Sequence, residues 1–277
     1  MISGKTQVIA HIGYPTESFR APMIYNPYFD KHKIDAVVVP MGCKAEDYAQ
    51  FLPLVFRLSN IHGALITMPH KVTTIGLLDE VMITAKIAGS CNAVRLSPDG
   101  RLIGDMFDGE GFVRGVVRKG RVLKDARVFV AGCGGVGSAI AASLAKTGVS
   151  FIRLYDAYTP IMQGLADRLK THYPALTVEV GHNDPAGVDL VVNATPLGMK
   201  EDDPLPMDVS RIAPETFVGE VVMKQEITPF LHAAIARGCA YQIGSDMLFE
   251  QIPAYLEFFG FRTTTAEELR EVAQLKY

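Results

Sequence analysis

Short apolar runs alternate with longer amphipathic stretches along the whole chain, a pattern that predicts an α/β protein with buried strands separated by helices. Strands are predicted over 6–12, 34–40 and 63–68, with helices over 21–32 and 45–59 between them. A short helix over 84–88 precedes strands over 93–96 and 102–104, which flank a turn signal at Ser97-Pro98-Asp99-Gly100. The second half opens on Val128-Phe129-Val130-Ala131, an unbroken apolar run of the kind carried by a buried parallel strand. An alanine-rich helix over 136–146 and a strand over 151–155 follow. Further strands are predicted over 178–180, 188–192 and 217–222, and helices over 226–237 and 247–259. The tail over 265–275 is a charged amphipathic helix, with Thr265 ahead of Ala266-Glu267-Glu268 in a capping-box arrangement.

Directly after the run at 128–131, Gly132, Gly134 and Gly137 fall in a G-x-G-x-x-G spacing, with Gly135 and Val136 inside it. In such a loop the first glycine permits the tight turn, the second lets the backbone approach a pyrophosphate, and the third allows close packing of helix on strand. The helix N-terminus offers unpaired N–H groups to the phosphates. Asp156, closing the next strand, is placed to accept from a ribose hydroxyl. A glycine pattern alone is weak; the complete order of strand, turn, helix, strand and acid predicts a Rossmann-type dinucleotide-binding unit. Gly132, Gly134, Gly135, Val136, Gly137 and Asp156 are its expected cofactor contacts.

Composition narrows the class further. The chain has 277 residues, 48% of them hydrophobic, and a net charge of -3, which suits two globular domains and gives no basic excess for nucleic acid. There is no apolar run of the ~20 residues needed to span a bilayer, and the opening segment lacks the apolar core of a secretory signal. Cys43, Cys91, Cys133 and Cys239 are scattered, with no metal-ligand spacing, so reduced buried thiols, a cytoplasmic location and no metal site are expected.

Several polar clusters recur where strands are predicted to end or begin. They are Thr67-Met68-Pro69-His70-Lys71, Gly89-Ser90-Cys91-Asn92, Asp108-Gly109-Glu110-Gly111, Asn193-Ala194-Thr195-Pro196-Leu197-Gly198-Met199, and Gly244 with Met247-Leu248 and Gln251. Taken together and in this order, they resemble the motifs of the shikimate dehydrogenase family, including its quinate/shikimate branch, over nearly the whole chain. The matching patterns are T-x-P-x-K, a segment ending in Asn, D-G-x-G, N-A-T-x-x-G-M and G-x-x-M-L-x-x-Q. The resemblance implies that Lys71 and Asp108 are the catalytic pair, that Asn92 and Gln251 line the substrate, and that Thr67 lies beside it. It adds Asn193, Thr195 and Gly244 to the cofactor contacts.

The chemistry is coherent. Oxidising a secondary alcohol needs a hydride acceptor, which a cofactor supplies, and a group to take the hydroxyl proton. A lysine does this if its surroundings tune its pKa toward working pH; a carboxylate alone favours the charged lysine, so the balance with desolvation matters. As isolated residues, Lys71 and Asp108 would be read as a structural ion pair. His70 is expected to be supporting or solvated, and His11, His62, His182 and His232 to be structural.

Departures from the family cluster at the substrate end. Where the family places two serines, S-x-S before Pro, to hold the substrate carboxylate, this chain has Phe19 and Ala21, with Ser18 one residue early and Arg20 between. Leu65-Ile66 precede Thr67, Met106-Phe107 precede Asp108, and Met223 stands where the family has a tyrosine. A hydrogen bond to a charged group contributes roughly 1.5–3 kcal/mol, so losing two weakens carboxylate binding by at least one to two decades. Either Arg20, with Ser18, replaces the serines through a bidentate contact, or the pocket is remade for a different, less polar hydroxy compound. Asp156-Ala157-Tyr158-Thr159 carries a carboxylate where NADP-preferring relatives tend to have a cationic cluster. That predicts NAD, with NADP possible.

The expected architecture is an N-terminal α/β substrate domain, 1–106 completed by 243–277, plus a Rossmann doubly wound domain over 107–242. The cleft between two such units is the natural place for a small cyclic hydroxy acid. The expected function is reversible oxidation of a ring hydroxyl on a shikimate- or quinate-like acid by a monomer or homodimer. The rivals are the same chemistry on another hydroxy compound, and a dinucleotide-binding regulatory protein with little catalysis.

Overall fold

A computed structural model describes residues 2–275 and divides the chain into two compact units. One runs through Phe107 and takes up the chain again from Ile252; the other is Asp108–Gln251. The first contains β1 (Gln7–Gly13), α1 (Pro22–Lys31), β2 (Ala36–Gly42), α2 (Ala45–Val55), β3 (Ile61–Ile66), α3 (Lys71–Thr74), β4 (Glu80–Val81), α4 (Ile83–Ala88), β5 (Ala93–Leu96) and β6 (Leu102–Asp105). Its sheet has the order β2-β1-β3-β5-β6-β4. β1 runs parallel to both neighbours, while β5 is antiparallel to β3 and β6. β1 is interior to the sheet, and Ile9, Ala10 and Ile12 are wholly buried, as an apolar strand covered on both faces should be.

The second unit contains α5 (Asp108–Arg118), β7 (Arg127–Ala131), α6 (Gly135–Lys146), β8 (Phe151–Tyr155), α7 (Thr159–His172), β9 (Thr177–Val180), β10 (Leu190–Asn193), β11 (Phe217–Glu220), α8 (Pro229–Ala236), β12 (Tyr241–Gln242) and α9 (Gly244–Phe258). Its strands are all parallel, in the order β12-β11-β10-β7-β8-β9. Numbered within the unit, this is the 3-2-1-4-5-6 arrangement of a doubly wound dinucleotide fold, with its switch point between β7 and β10. Phe129, Val191, Val218, Phe230 and Leu231 form part of its buried core. The last helix, α10 (Ala266–Val272), packs on α1 of the first unit. Thr265 caps it by accepting from the Glu268 N–H, and the Glu268 carboxylate meets Lys31 at 3.1 Å and His32 at 2.8 Å.

Most predicted elements are present with shifted ends. The helix expected over 226–237 begins at Pro229, because Thr228 caps it by accepting from the Leu231 N–H and proline suits a first helical position. α5 and α7 lie outside the predicted elements. In α5, Gly109, Gly111 and Gly115 lower helix propensity, yet close packing requires them small. A Cβ at Gly109 would strike the Ala139 backbone, and one at Gly111 would lie 2.6 Å from the Met247 carbonyl oxygen. α7 does carry a helical signal, with Met162, Leu165, Ala166 and Leu169 on one buried stripe. The division between the units falls inside α9, whereas the sequence places a boundary just ahead of that helix. No helix among the described residues is long and apolar enough to cross a membrane.

Candidate active site

In the second unit the turn after β7 and the turn after β10 meet at the switch point. Gly132 has φ +94°, and a Cβ there would fall 2.6 Å from the Ala194 carbonyl carbon and oxygen. Any other residue would be both strained and obstructed. A Cβ at Gly137 would collide with the Gly132 backbone oxygen, so the start of α6 lies directly on the turn. Gly134 caps α6 from extended backbone, and Gly134 and Gly135 are exposed with open space where a Cβ would be. Val136 is half-buried behind them. Glycine-lined backbone at a helix N-terminus, open on its outer side, fits a pyrophosphate.

Asp156 stands at the end of β8 beside this loop. Its Oδ2 accepts from the Cys133 N–H at 2.7 Å and its Oδ1 from the Tyr158 N–H at 2.8 Å, so the carboxylate is held in place by backbone. The Cys133 thiol is buried, which pushes its pKa up to about 12 and keeps it unreactive. All four cysteines are free and buried.

Asn193 works inside the loop that follows β10. It is wholly buried; its amide donates to the Leu197 carbonyl and both Glu220 oxygens, and its Oδ1 accepts from the Thr195 N–H at 3.1 Å and hydroxyl at 2.6 Å. Glu220 also accepts from the Thr228 hydroxyl and the Val221 and Val222 N–H groups. Burial pushes the Glu220 pKa up against these bonds. Half-buried Thr195 is the member of the pair nearer the surface. Gly244 is buried, and a Cβ there would strike the Val222 backbone, so it lets α9 start hard against the segment after β11. Met223 is 47% exposed.

Asp108 is the first residue of α5 and is buried; an acid there is favoured by the helix dipole. Gln251, on α9, packs against Gly111 of α5, and its Oε1 is buried without a hydrogen-bond partner.

In the first unit, Thr67, Lys71 and Asn92 are joined through the backbone. The Thr67 N–H donates to the Ile12 carbonyl at 2.9 Å, and the His70 N–H to the Thr67 carbonyl at 3.0 Å. The Cys91 N–H donates to the Lys71 carbonyl at 2.9 Å, and the Ile66 N–H to the Asn92 carbonyl at 2.8 Å. Asn92 is buried and its Oδ1 accepts from the Phe107 N–H at 2.9 Å, which fixes the direction of its amide. Thr67 and Lys71 are half-buried. His70 is turned away into the core: it stacks on Tyr48 at 3.9 Å between ring centroids, and its Nε2 is 2.7 Å from the Cys43 carbonyl oxygen.

The turn after β1 places Ser18 and Arg20 at the exposed surface and Phe19 inward. The Phe19 ring stacks on His11 at 4.1 Å and lies where a Cβ on Gly13 would meet it and Thr67. Ala21 precedes α1 without a side-chain cap. His62 binds the Phe259 carbonyl, while His182 and His232 are exposed rather than structural. His11, expected to be structural, is buried on β1, and burial together with the Lys71 charge lowers its pKa to about 4. Its signal was a polar residue inside the apolar run Val8-Ile9-Ala10-His11-Ile12.

A family model described as the shikimate dehydrogenase substrate binding domain matches residues 11–94, and a ThiF family model matches 114–159. The shikimate dehydrogenase (NADP(+)) of Rhodospirillum rubrum is 30% identical over 277 residues, spanning 98% of each chain. Among solved structures, the shikimate 5-dehydrogenase of Listeria monocytogenes in complex with shikimate and NAD has a TM-score of 0.91 at 23% identity, over 98% of this chain and 97% of that one. That likeness is one of fold. The quinate dehydrogenase of Corynebacterium glutamicum in complex with NAD has a TM-score of 0.82 at 28% identity, over 96% of this chain and 98% of that one.

Proposed function

The chain belongs to the shikimate dehydrogenase family of NAD(P)-dependent oxidoreductases, and on that premise we propose that it reversibly oxidises a ring hydroxyl of a shikimate- or quinate-like hydroxy acid with NAD. The observation that carries this reading is the knot of backbone bonds that holds Thr67, Lys71 and Asn92 together at the ends of β3 and β5. When bound, the nicotinamide supplies the hydride acceptor. The Lys71 amine takes the hydroxyl proton in the oxidative direction, and its ammonium returns it to the carbonyl oxygen in reduction. Asp108 is the companion acid that supports this lysine. Asn92, oriented by Phe107, and Gln251 bind substrate hydroxyls.

The NAD preference rests on Asp156. A carboxylate fixed by the Cys133 and Tyr158 N–H groups accepts from a ribose hydroxyl and repels a 2′-phosphate. The compared proteins span both cofactors: the Rhodospirillum rubrum relative is named for NADP(+), while the Listeria monocytogenes and Corynebacterium glutamicum structures are in complex with NAD. Initial rates with shikimate and quinate, each with NAD and NADP, test both parts. Turnover with NADP in preference to NAD contradicts the cofactor assignment.

One observation favours a second reading of the substrate. Phe19 fills the space beside Thr67 while Arg20 is exposed, so the carboxylate anchor of the family has an aromatic ring in its place. The same proton and hydride transfer would then act on a hydroxy compound without a carboxylate at that point. Rates on uncharged cyclic alcohols separate the two readings.

A further inference from the structure

His11 interrupts the apolar, buried stretch of β1 that runs from Ile9 to Ile12. Burying an imidazole without hydrogen bonds is unfavourable, and its Nδ1 is buried with no partner in the protein. The side chain is only 8% exposed, so solvent does not compensate it. Its surroundings are those of the substrate site. In the parallel register, His11 lies beside Leu65 on β3, and Gly13 and Thr67 follow at the next positions of the same face. The Phe19 ring covers that face, stacked on His11 with an interplanar angle of 27°. Lys71 is close enough for its charge to act on the imidazole.

We propose that His11 is a further specificity-determining residue, whose imidazole, backed by Phe19, hydrogen-bonds an uncharged hydroxyl or carbonyl group of the substrate beside Lys71. The proposal rests on the dehydrogenase reading and deepens it. Held well below its ordinary pKa by burial and by Lys71, the ring is uncharged at neutral pH. An uncharged imidazole has one N–H donor and one nitrogen acceptor, which matches a hydroxyl and gives no ion pair to a carboxylate. The Phe19 ring adds an apolar wall that itself offers an anion no donor. The substrate class at this point is therefore a polyhydroxy ring or hydroxyketone with an uncharged group against His11.

The test compares wild type, His11→Leu and His11→Gln with shikimate, quinate and the methyl ester of shikimate, using NAD as the second substrate. Wild type should accept the ester at least as well as the acid. His11→Leu should raise KM for the hydroxy substrate roughly three- to tenfold, the range of one neutral hydrogen bond. It should change kcat less and leave KM for NAD unaltered, and His11→Gln should recover most of the loss. Where His11→Leu does not fold, the imidazole 15N resonances of His11 in the wild-type enzyme should shift on adding substrate. An unchanged KM in His11→Leu, resonances that do not move, or a tenfold preference for the acid over the ester overturns the proposal while the dehydrogenase reading stands. Absence of turnover by wild type on every compound overturns both.

Discussion

The turn after β7 and the turn after β1 each follow a buried strand in the interior of a sheet, yet they are specified in different ways. The first is written in the backbone: positive φ at Gly132, no room for a Cβ at Gly137, and open glycines at the start of α6. The second is written in side chains: Phe19 inward over His11, with Ser18 and Arg20 outward. A backbone device tolerates few alternatives, so its pattern carries its meaning with it. A side-chain device can be re-cut one residue at a time, and its meaning follows only from where each ring and charge ends up. The glycine turn after β7 is accordingly the more constrained of the two, and the turn after β1 the one more open to substitution.

The largest effect is expected at Gly137. Gly137→Ala puts a Cβ onto the Gly132 backbone oxygen, and neither the turn nor α6 can give way cheaply. It should cost about 3 kcal/mol or more of stability and abolish measurable dinucleotide binding. Thermal melting and NADH fluorescence titration check this, and a well-folded variant that binds NADH would show the turn to be less constrained than its geometry. An equivalent single change in the substrate turn should be tolerated.

A pH titration of stability probes the other side. The unfolded chain takes up a proton at His11 near pH 6.5, whereas the native state takes it up only near pH 4. Stability present above pH 6.5 is therefore lost as pH falls toward 4, by at most about 3 kcal/mol. Denaturant melts of wild type and His11→Leu should differ in slope across that window and run parallel above it.

Asp156→Ala should weaken NAD binding about tenfold and narrow the preference over NADP, as expected from losing a charge-assisted hydrogen bond and a repulsion together. Phe19→Ser should produce the smallest effect, an increase of up to about tenfold in kcat/KM for shikimate relative to its methyl ester. Restoring a hydroxyl at that position without any such gain would mean that Phe19 is not what stands between this site and a carboxylate.

Legibility in the sequence follows the same division. The order of strands and helices and the whole glycine turn could be read from spacing, because spacing is what the backbone responds to. α5 was hidden by Gly109, Gly111 and Gly115, which weaken a helical signal for the sake of contacts with Ala139, Met247 and Gln242 that no local pattern reveals. Asn193 reads as a cofactor contact from its motif, yet its whole amide is engaged with Glu220, Leu197 and Thr195. Those bonds brace the loop after β10. His11 reads as a structural histidine and is buried as one, but its stacking on Phe19 and the action of the Lys71 charge leave no mark on the strand itself.

The central claim is that Lys71 carries the proton for an NAD-linked alcohol oxidation, and it is tested most directly by initial rates of NAD reduction with shikimate and quinate for wild type and Lys71→Ala. The account predicts turnover of at least one acid by wild type, a fall of roughly 10²–10⁴-fold in kcat in the variant, and the same NADH affinity in both. A wild type that binds NADH yet oxidises neither acid, or a Lys71→Ala enzyme as fast as wild type, would contradict it.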